Sequence, residues 1–211
     1  VCNILGNGNR CRGILDFAWF CRVVDTLDAR NITTMIQGID HILISRGAIS
    51  DRVRELGKAI TKDLGPIVEE KEIVVVAVMT GSIIFVADLM RCLPMKIRIQ
   101  ITTASSYVGK TTQSTGDPEV GMLPDVRDKH VLLVDDILDS GKTLISIRSE
   151  LEKLQPKSIN SCVLLRKNLP SAMKVPCEYV GFDIEDEFVV GYGLDYDGYY
   201  RNFPDIGVIC P

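Results

Sequence analysis

Apolar residues at Ile49, Val53, Leu56, Ile60 and Leu64 recur every three or four positions, the spacing of one buried helix face. Ser45 stands where an N-cap belongs, and Gly65-Pro66 is expected to stop the helix. The period then changes. Ile73–Met79 is a continuous, mostly β-branched run, as in a strand covered on both faces. Ile83–Leu93 reads as a helix ended by Pro94, and Ile97–Thr103 as a second strand. Val131–Val134 predicts a third strand, Lys142–Leu154 a helix and Asn160–Leu165 a fourth strand. Two short strands are expected near Tyr179–Phe182 and Phe188–Tyr192. Strand and helix alternate, which predicts an α/β fold on a parallel sheet.

Two segments lie outside this rhythm. Asn3–Gly13 is rich in Gly and Asn and has no period. Residues 1–38 are read as an extension to a domain spanning 39–211, either disordered or artefactual. A transit segment is disfavoured by Asp16, Asp25 and Asp28 and by the scarcity of Ser. Met35 would make a plausible start by itself. The second segment, Ala104–Lys129, is polar, with Ser, Thr and Gly concentrated between residues 105 and 116. A loop of this length in a compact domain is usually functional or disordered.

Composition narrows the classes further. The chain has 211 residues, 46% hydrophobic and 25% charged, which suits one globular domain and excludes a disordered chain. A net charge of -4 gives no bulk electrostatic case for binding nucleic acid. No apolar run approaches the ~18–20 residues of a membrane helix, so neither partner is expected. Seven cysteines form no CxxC pair, and with two histidines no zinc set is visible. Reduced thiols in an intracellular, cytoplasmic protein are the expected state.

The strongest chemistry lies between Val131 and Thr143. A buried apolar strand runs into Asp135 and Asp136. Then come Asp139 and a small-residue turn, Ser140-Gly141-Lys142-Thr143, opening a helix. Backbone N–H groups at such a helix start form a phosphate cradle, helped by the Ser140 and Thr143 hydroxyls. A nucleotide-hydrolase P-loop needs Gly five residues before Gly141, and Asp136 stands there. Paired carboxylates at the carboxyl end of a central strand lie where open α/β sheets bind ligands.

This pattern resembles the phosphoribosyl-diphosphate signature of the type I phosphoribosyltransferases. The later segments Leu164–Asn168, Tyr179–Ile184, Phe188–Tyr196, Tyr200–Asn202 and Ile206–Ile209 resemble the hypoxanthine-guanine phosphoribosyltransferases, over about residues 39–210. The resemblance implies a central parallel sheet flanked by helices, with a small hood subdomain built from both chain ends. It implies transfer of a 5-phosphoribosyl group to N9 of hypoxanthine or guanine in purine salvage, giving IMP or GMP and pyrophosphate. Asp139 would be the catalytic base at purine N7, and Ser140, Gly141, Lys142 and Thr143 would hold the 5′-phosphate. Asp135 and Asp136 would face the ribose hydroxyls and a Mg²⁺ water shell, with Asp195 as a Mg²⁺ ligand. Lys167 would donate to O6, Phe188 would stack on the base, and Val189 would read its edge through its backbone.

Thr80 and Gly81 would meet pyrophosphate beside a cis Met79–Thr80 peptide, and Arg201 would pair with the same group. Many relatives carry Lys or Arg where this chain has Thr80. Ser106 and Tyr107 match the mobile lid. The resemblance further implies a homodimer or homotetramer. A xanthine-preferring relative, a regulator of the same fold that binds RNA, and a bare nucleotide-binding module are the alternatives. Asp183, Glu185, Asp186 and Glu187 read as a solvated turn, and His41 and His130 receive no role.

Overall fold

The computed structural model describes residues 38–68, 72–105 and 118–209. The chain divides into two units, Val1–Ile39 and Asp40–Pro211, and the architecture below is that of the second. Of the extension read at residues 1–38, residues 1–37 lie outside the described residues.

Strand β1 (Ile39–Ile44) leads into helix α1 (Arg46–Val68). Ser45 caps the helix as expected, its Oγ accepting the Ala48 N–H at 3.3 Å. The helix does not stop at Gly65-Pro66; Pro66 sits inside its last turn. There the missing N–H removes only one bond near the helix end, and Ile67 still packs on the core.

Strand β2 (Ile73–Met79) has the expected bounds. Ile73, Val75 and Ala77 pack against Ile49, Val53 and Leu56 of α1 and Phe85 and Leu89 of helix α2 (Ile83–Arg91). Val74, Val76 and Val78 face the other way, toward Leu144, Ile147 and Leu151 of helix α3 (Lys142–Lys153). The alternation of side chains along one strand thus builds a helix–sheet–helix sandwich. Each fully buried Val, Leu or Ile contributes about 1.5–3 kcal/mol relative to exposure.

Helix α2 ends before Pro94. Cys92 and Leu93 donate to the carbonyls of Leu89 and Met90, three residues back, which tightens the final turn. Strand β3 (Ile97–Ser105) runs parallel to β2. The short strand β4 (Glu119–Val120) returns antiparallel along its end.

Strand β5 (His130–Leu138) is longer than its apolar run. Asp135 and Asp136 lie within it rather than after it, because Ile137 and Leu138 still pair with Leu165 and Arg166 of β6 (Ser158–Lys167). A 3₁₀ turn (Ala172–Lys174) precedes β7 (Tyr179–Ile184). The sheet order is β4-β3-β2-β5-β6-β7, with β3, β2, β5, β6 and β7 parallel.

A second sheet has the order β1-β9-β8, from β1, β8 (Val189–Val190) and β9 (Ile206–Ile209). This is the expected hood, joining segments from both ends of the domain. Asp205, 1% exposed, ties the hood to α1: its carboxylate accepts from the Arg46 backbone N–H at 2.6 Å and from the Arg46 guanidinium at 3.1–3.3 Å. Among the described residues no helix is long and apolar enough to cross a membrane. Among the described cysteines, Cys92, Cys162 and Cys177 are free thiols.

Candidate active site

The carboxyl ends of β2, β5 and β6 open on the same side, as parallel strands require, and the hood faces them. After β2 the Met79–Thr80 peptide is cis. Ser82, fully buried, donates from its hydroxyl to the Val78 carbonyl and closes the turn. Gly81 lies directly against β5: a Cβ built on it would sit 1.7 Å from Asp136 Oδ2. That contact brings the carboxylate pair to the turn after β2.

The two acids fold onto the backbone that carries them. Asp135 Oδ1 accepts the Asp136 N–H at 2.9 Å, and Asp136 Oδ1 accepts the Ile137 N–H at 2.9 Å. Burial, then the Asp136 charge, push the Asp135 carboxyl well above the usual carboxylate range. Burial raises Asp136 as well, with the Arg201 charge among the influences opposing it.

Past β5 the chain turns through Asp139 and Ser140, both exposed, to Gly141, whose φ of +86° precedes the first turn of α3. Gly141, Ser140 and Thr143 line a cavity of about 370 Å³, together with Gly81, Asp135 and Asp136. Lys142 is exposed and does not line it. A second cavity, about 200 Å³, is lined by Lys167, Glu187, Phe188, Val189, Leu194 and Asp195. Asp136, Ile137 and Asp139 line both. A turn of small residues at the start of a helix and a pocket with an aromatic wall therefore meet at one exposed carboxylate, Asp139.

The second cavity is shaped by the hood. Val189 pairs with Val208, and the flanking Ile209 N–H bonds to the Phe188 carbonyl at 3.0 Å. In that antiparallel arrangement the N–H and C=O of Val189 itself point away from β9, toward the open edge. Phe188 is 43% exposed, and its ring meets Tyr196 edge-on with centroids 5.5 Å apart. Asp195 Oδ1 lies 2.6 Å from Arg201 Nη2, and its Oδ2 accepts the Gly198 N–H at 2.9 Å. Arg201 Nη1 donates to the Gly193 carbonyl at 2.7 Å. Gly193, at φ +105°, rests on the turn after β2: a Cβ there would lie 2.1 Å from the Gly81 carbonyl oxygen. Thr80 and Arg201 line neither cavity.

Residues 44–197 match the family model described as a phosphoribosyl transferase domain. The hypoxanthine phosphoribosyltransferase of Escherichia coli is 41% identical over 174 residues, covering 80% of this chain and 94% of that protein. The chain belongs to the hypoxanthine phosphoribosyltransferase branch of the phosphoribosyltransferase family. The hypoxanthine-guanine-xanthine phosphoribosyltransferase of Tritrichomonas foetus is 33% identical, covering 84% of this chain and 95% of that one. A solved hypoxanthine-guanine phosphoribosyltransferase from Bacillus anthracis, with HEPES in its active site, superposes with a TM-score of 0.73. It is 38% identical, covering 82% of this chain and 99% of its own.

Within this phosphoribosyltransferase site the acidic run is more than a solvated turn. Asp186 Oδ1 stands 2.8 Å from Lys167 Nζ, Asp183 pairs with Arg166, and Glu187 lines the second cavity. A basic pair at the end of one strand and an acidic run at the end of the next carried that signal. Burial works to lower the Lys167 pKa, but Asp186 and Asp139 outweigh it and hold the ammonium above its ordinary value. Ser106 and Tyr107, assigned to the lid, lie outside the described residues.

Proposed function

We propose that the two adjoining cavities hold the two substrates of a purine-salvage reaction, and that Asp139 stands at their junction to serve both. The enzyme transfers a 5-phosphoribosyl group from phosphoribosyl diphosphate to N9 of hypoxanthine or guanine. The bond from C1′ to the pyrophosphate oxygen breaks, and its electron pair leaves with pyrophosphate. The C1′–N9 bond forms, and the N7 proton passes to the Asp139 carboxylate. That junction carries the reading: of the two carboxylates lining both cavities, Asp136 is turned onto the Ile137 N–H, and Asp139 is the exposed one.

Ser140, Gly141 and Thr143 bind the 5′-phosphate through backbone N–H groups and hydroxyls at the start of α3. Lys142 contributes its backbone N–H to the same cradle. Asp135 and Asp136 hold the ribose hydroxyls. Gly81, with Thr80, presents the backbone of its turn to pyrophosphate, and Arg201 offers a planar fork suited to phosphate oxygens. Phe188 stacks on the purine, and the free edge of Val189 reads its rim. Ser106 and Tyr107 are assigned to a lid that excludes water from the sugar cation.

Mg²⁺ fits the donors present. No group of three metal-binding side chains gathers among the described residues, and both Asp195 oxygens already have partners. Asp195 and Asp136 do line one cavity, and Mg²⁺ is commonly held by one or two carboxylates with waters and substrate phosphates. Asp195, with Asp135 and Asp136 behind its waters, would hold it. When bound, Mg²⁺ supplies positive charge to the departing pyrophosphate. The catalytic domain is assigned to residues 39–211, acting in the cytoplasm as a homodimer or homotetramer, which light scattering after size-exclusion chromatography tests.

Lys167 favours 6-oxopurines because its ammonium only donates; O6 accepts, whereas the 6-amino group of adenine donates. Steady-state assays of hypoxanthine, guanine, xanthine and adenine with phosphoribosyl diphosphate and Mg²⁺ test the reading. Turnover is expected with the first two and not with adenine; release of pyrophosphate with none of the four rejects it. Xanthine has its own arm because the Tritrichomonas foetus relative is named for three bases. Lys167→Ala is expected to raise the hypoxanthine KM and narrow the gap to adenine. Unchanged rejection of adenine would move that discrimination to another group.

A further inference from the structure

The acidic turn between β7 and β8 is clamped on both sides of Lys167. Arg166 stands opposite Asp183 in the β6–β7 ladder and bonds its carboxylate at 2.6 and 3.2 Å. Asn168 donates its N–H to the Ile184 carbonyl at 2.7 Å. The Glu187 N–H closes on the Glu185 carbonyl at 2.8 Å, so the chain reverses just before Phe188. The product of this turn is one contact: Asp186 Oδ1 lies 2.8 Å from Lys167 Nζ. The same ammonium lies 3.5 Å from Asp139 Oδ1. The Lys167 side chain is 12% exposed and lines the second cavity.

An ammonium carries three N–H donors and no acceptor. Asp186 takes one of those donors at 2.8 Å, while the Asp139 carboxylate stands 3.5 Å from the same nitrogen, and the donors left over serve the cavity that Lys167 lines. We propose that Asp186 is a positioning residue for purine selection, holding the Lys167 ammonium off a close ion pair with Asp139 so that one N–H stays aimed at the purine O6. Without Asp186, the ammonium closes on Asp139. That one movement withdraws the donor from the base and covers the proton acceptor. Stability is not its main effect, since Asp186 is 60% exposed and an ion pair with one side in water contributes little. The inference rests on the assignment of Lys167 to the purine and goes beyond it by naming what aims it.

Steady-state kinetics of the intact chain test it on Asp186→Ala, Asp186→Glu, Lys167→Ala and the double variant Lys167→Ala/Asp186→Ala. Asp186→Ala is expected to raise the hypoxanthine KM about tenfold and to leave the phosphoribosyl diphosphate KM within about twofold. The melting temperature should not move. Asp186→Glu should recover most of the loss, and Asp186→Ala should change nothing further once Lys167 is gone. A normal hypoxanthine KM in Asp186→Ala, beside an impaired Lys167→Ala, overturns this inference and leaves the purine site standing. Equal rises in both KM values with a lowered melting temperature overturn it too, in favour of a structural role. If Lys167→Ala itself binds hypoxanthine normally, the purine-site assignment fails.

Discussion

Asp139→Asn should lower turnover by about 10²–10⁴-fold, the range for loss of a general base, with GMP affinity within about tenfold. The substitution keeps the side-chain volume and removes the proton acceptor. Asp139 is 56% exposed and lies at the junction of the two cavities, so nothing in the core depends on it. Pre-steady-state turnover beside equilibrium GMP binding separates the two quantities. Near-normal turnover would remove Asp139 from the base role; equal losses in both would make it a binding residue. The 3.5 Å approach of Lys167 adds a second expectation. The Asn variant no longer attracts the ammonium, so the 6-oxopurine preference should persist at the reduced rate.

Gly193→Ala is expected to act on a different link, the seating of the hood. A Cβ at this position meets the Gly81 carbonyl oxygen at 2.1 Å, on backbone that cannot swing aside, and the φ of +105° disfavours any side chain. The Gly193 N–H and C=O also bond to Arg201, at 2.9 and 2.7 Å. Lifting the loop therefore displaces Arg201 and Asp195 together. The kcat/KM for phosphoribosyl diphosphate should fall at least about a hundredfold, with about 1–3 kcal/mol lost from stability. Denaturant melts and steady-state kinetics read these directly. Normal kinetics would show that the hood does not need to rest on the turn after β2.

Much of the scaffold was legible because local pattern and tertiary burial agree. The run Ile73–Met79 is apolar throughout and buried on both faces, and its bounds came out unchanged. The small-residue turn after Asp139 does open a helix, and Asp139, Ser140, Gly141 and Thr143 line a cavity. Where local and long-range physics diverge, the sequence misleads. Asp135 and Asp136 look like the residues after a strand, yet β6 supplies hydrogen-bond partners as far as Leu138. Gly65-Pro66 looks like a helix stop, yet Ile67 has a place in the core and the helix continues to it. The hood strands β1, β8 and β9 are short and paired across most of the chain, so nothing local announces their partners. The acidic turn is exposed as read, yet its ion pairs went unseen for a related reason: their partners Arg166 and Lys167 belong to the preceding strand, and only the β6–β7 register brings them opposite.

The order β1-β9-β8 also sets a timetable. The edge assigned to the purine, at Val189, is backed by the final strand of the domain, and β9 also joins that edge to β1. During synthesis every strand of the central sheet is made before Ile206–Ile209 are added. A nascent chain halted before those residues would lack β9, and with it the backing of the edge we assign to the base. On that assignment the backing of the base seat is made after every strand of the central sheet.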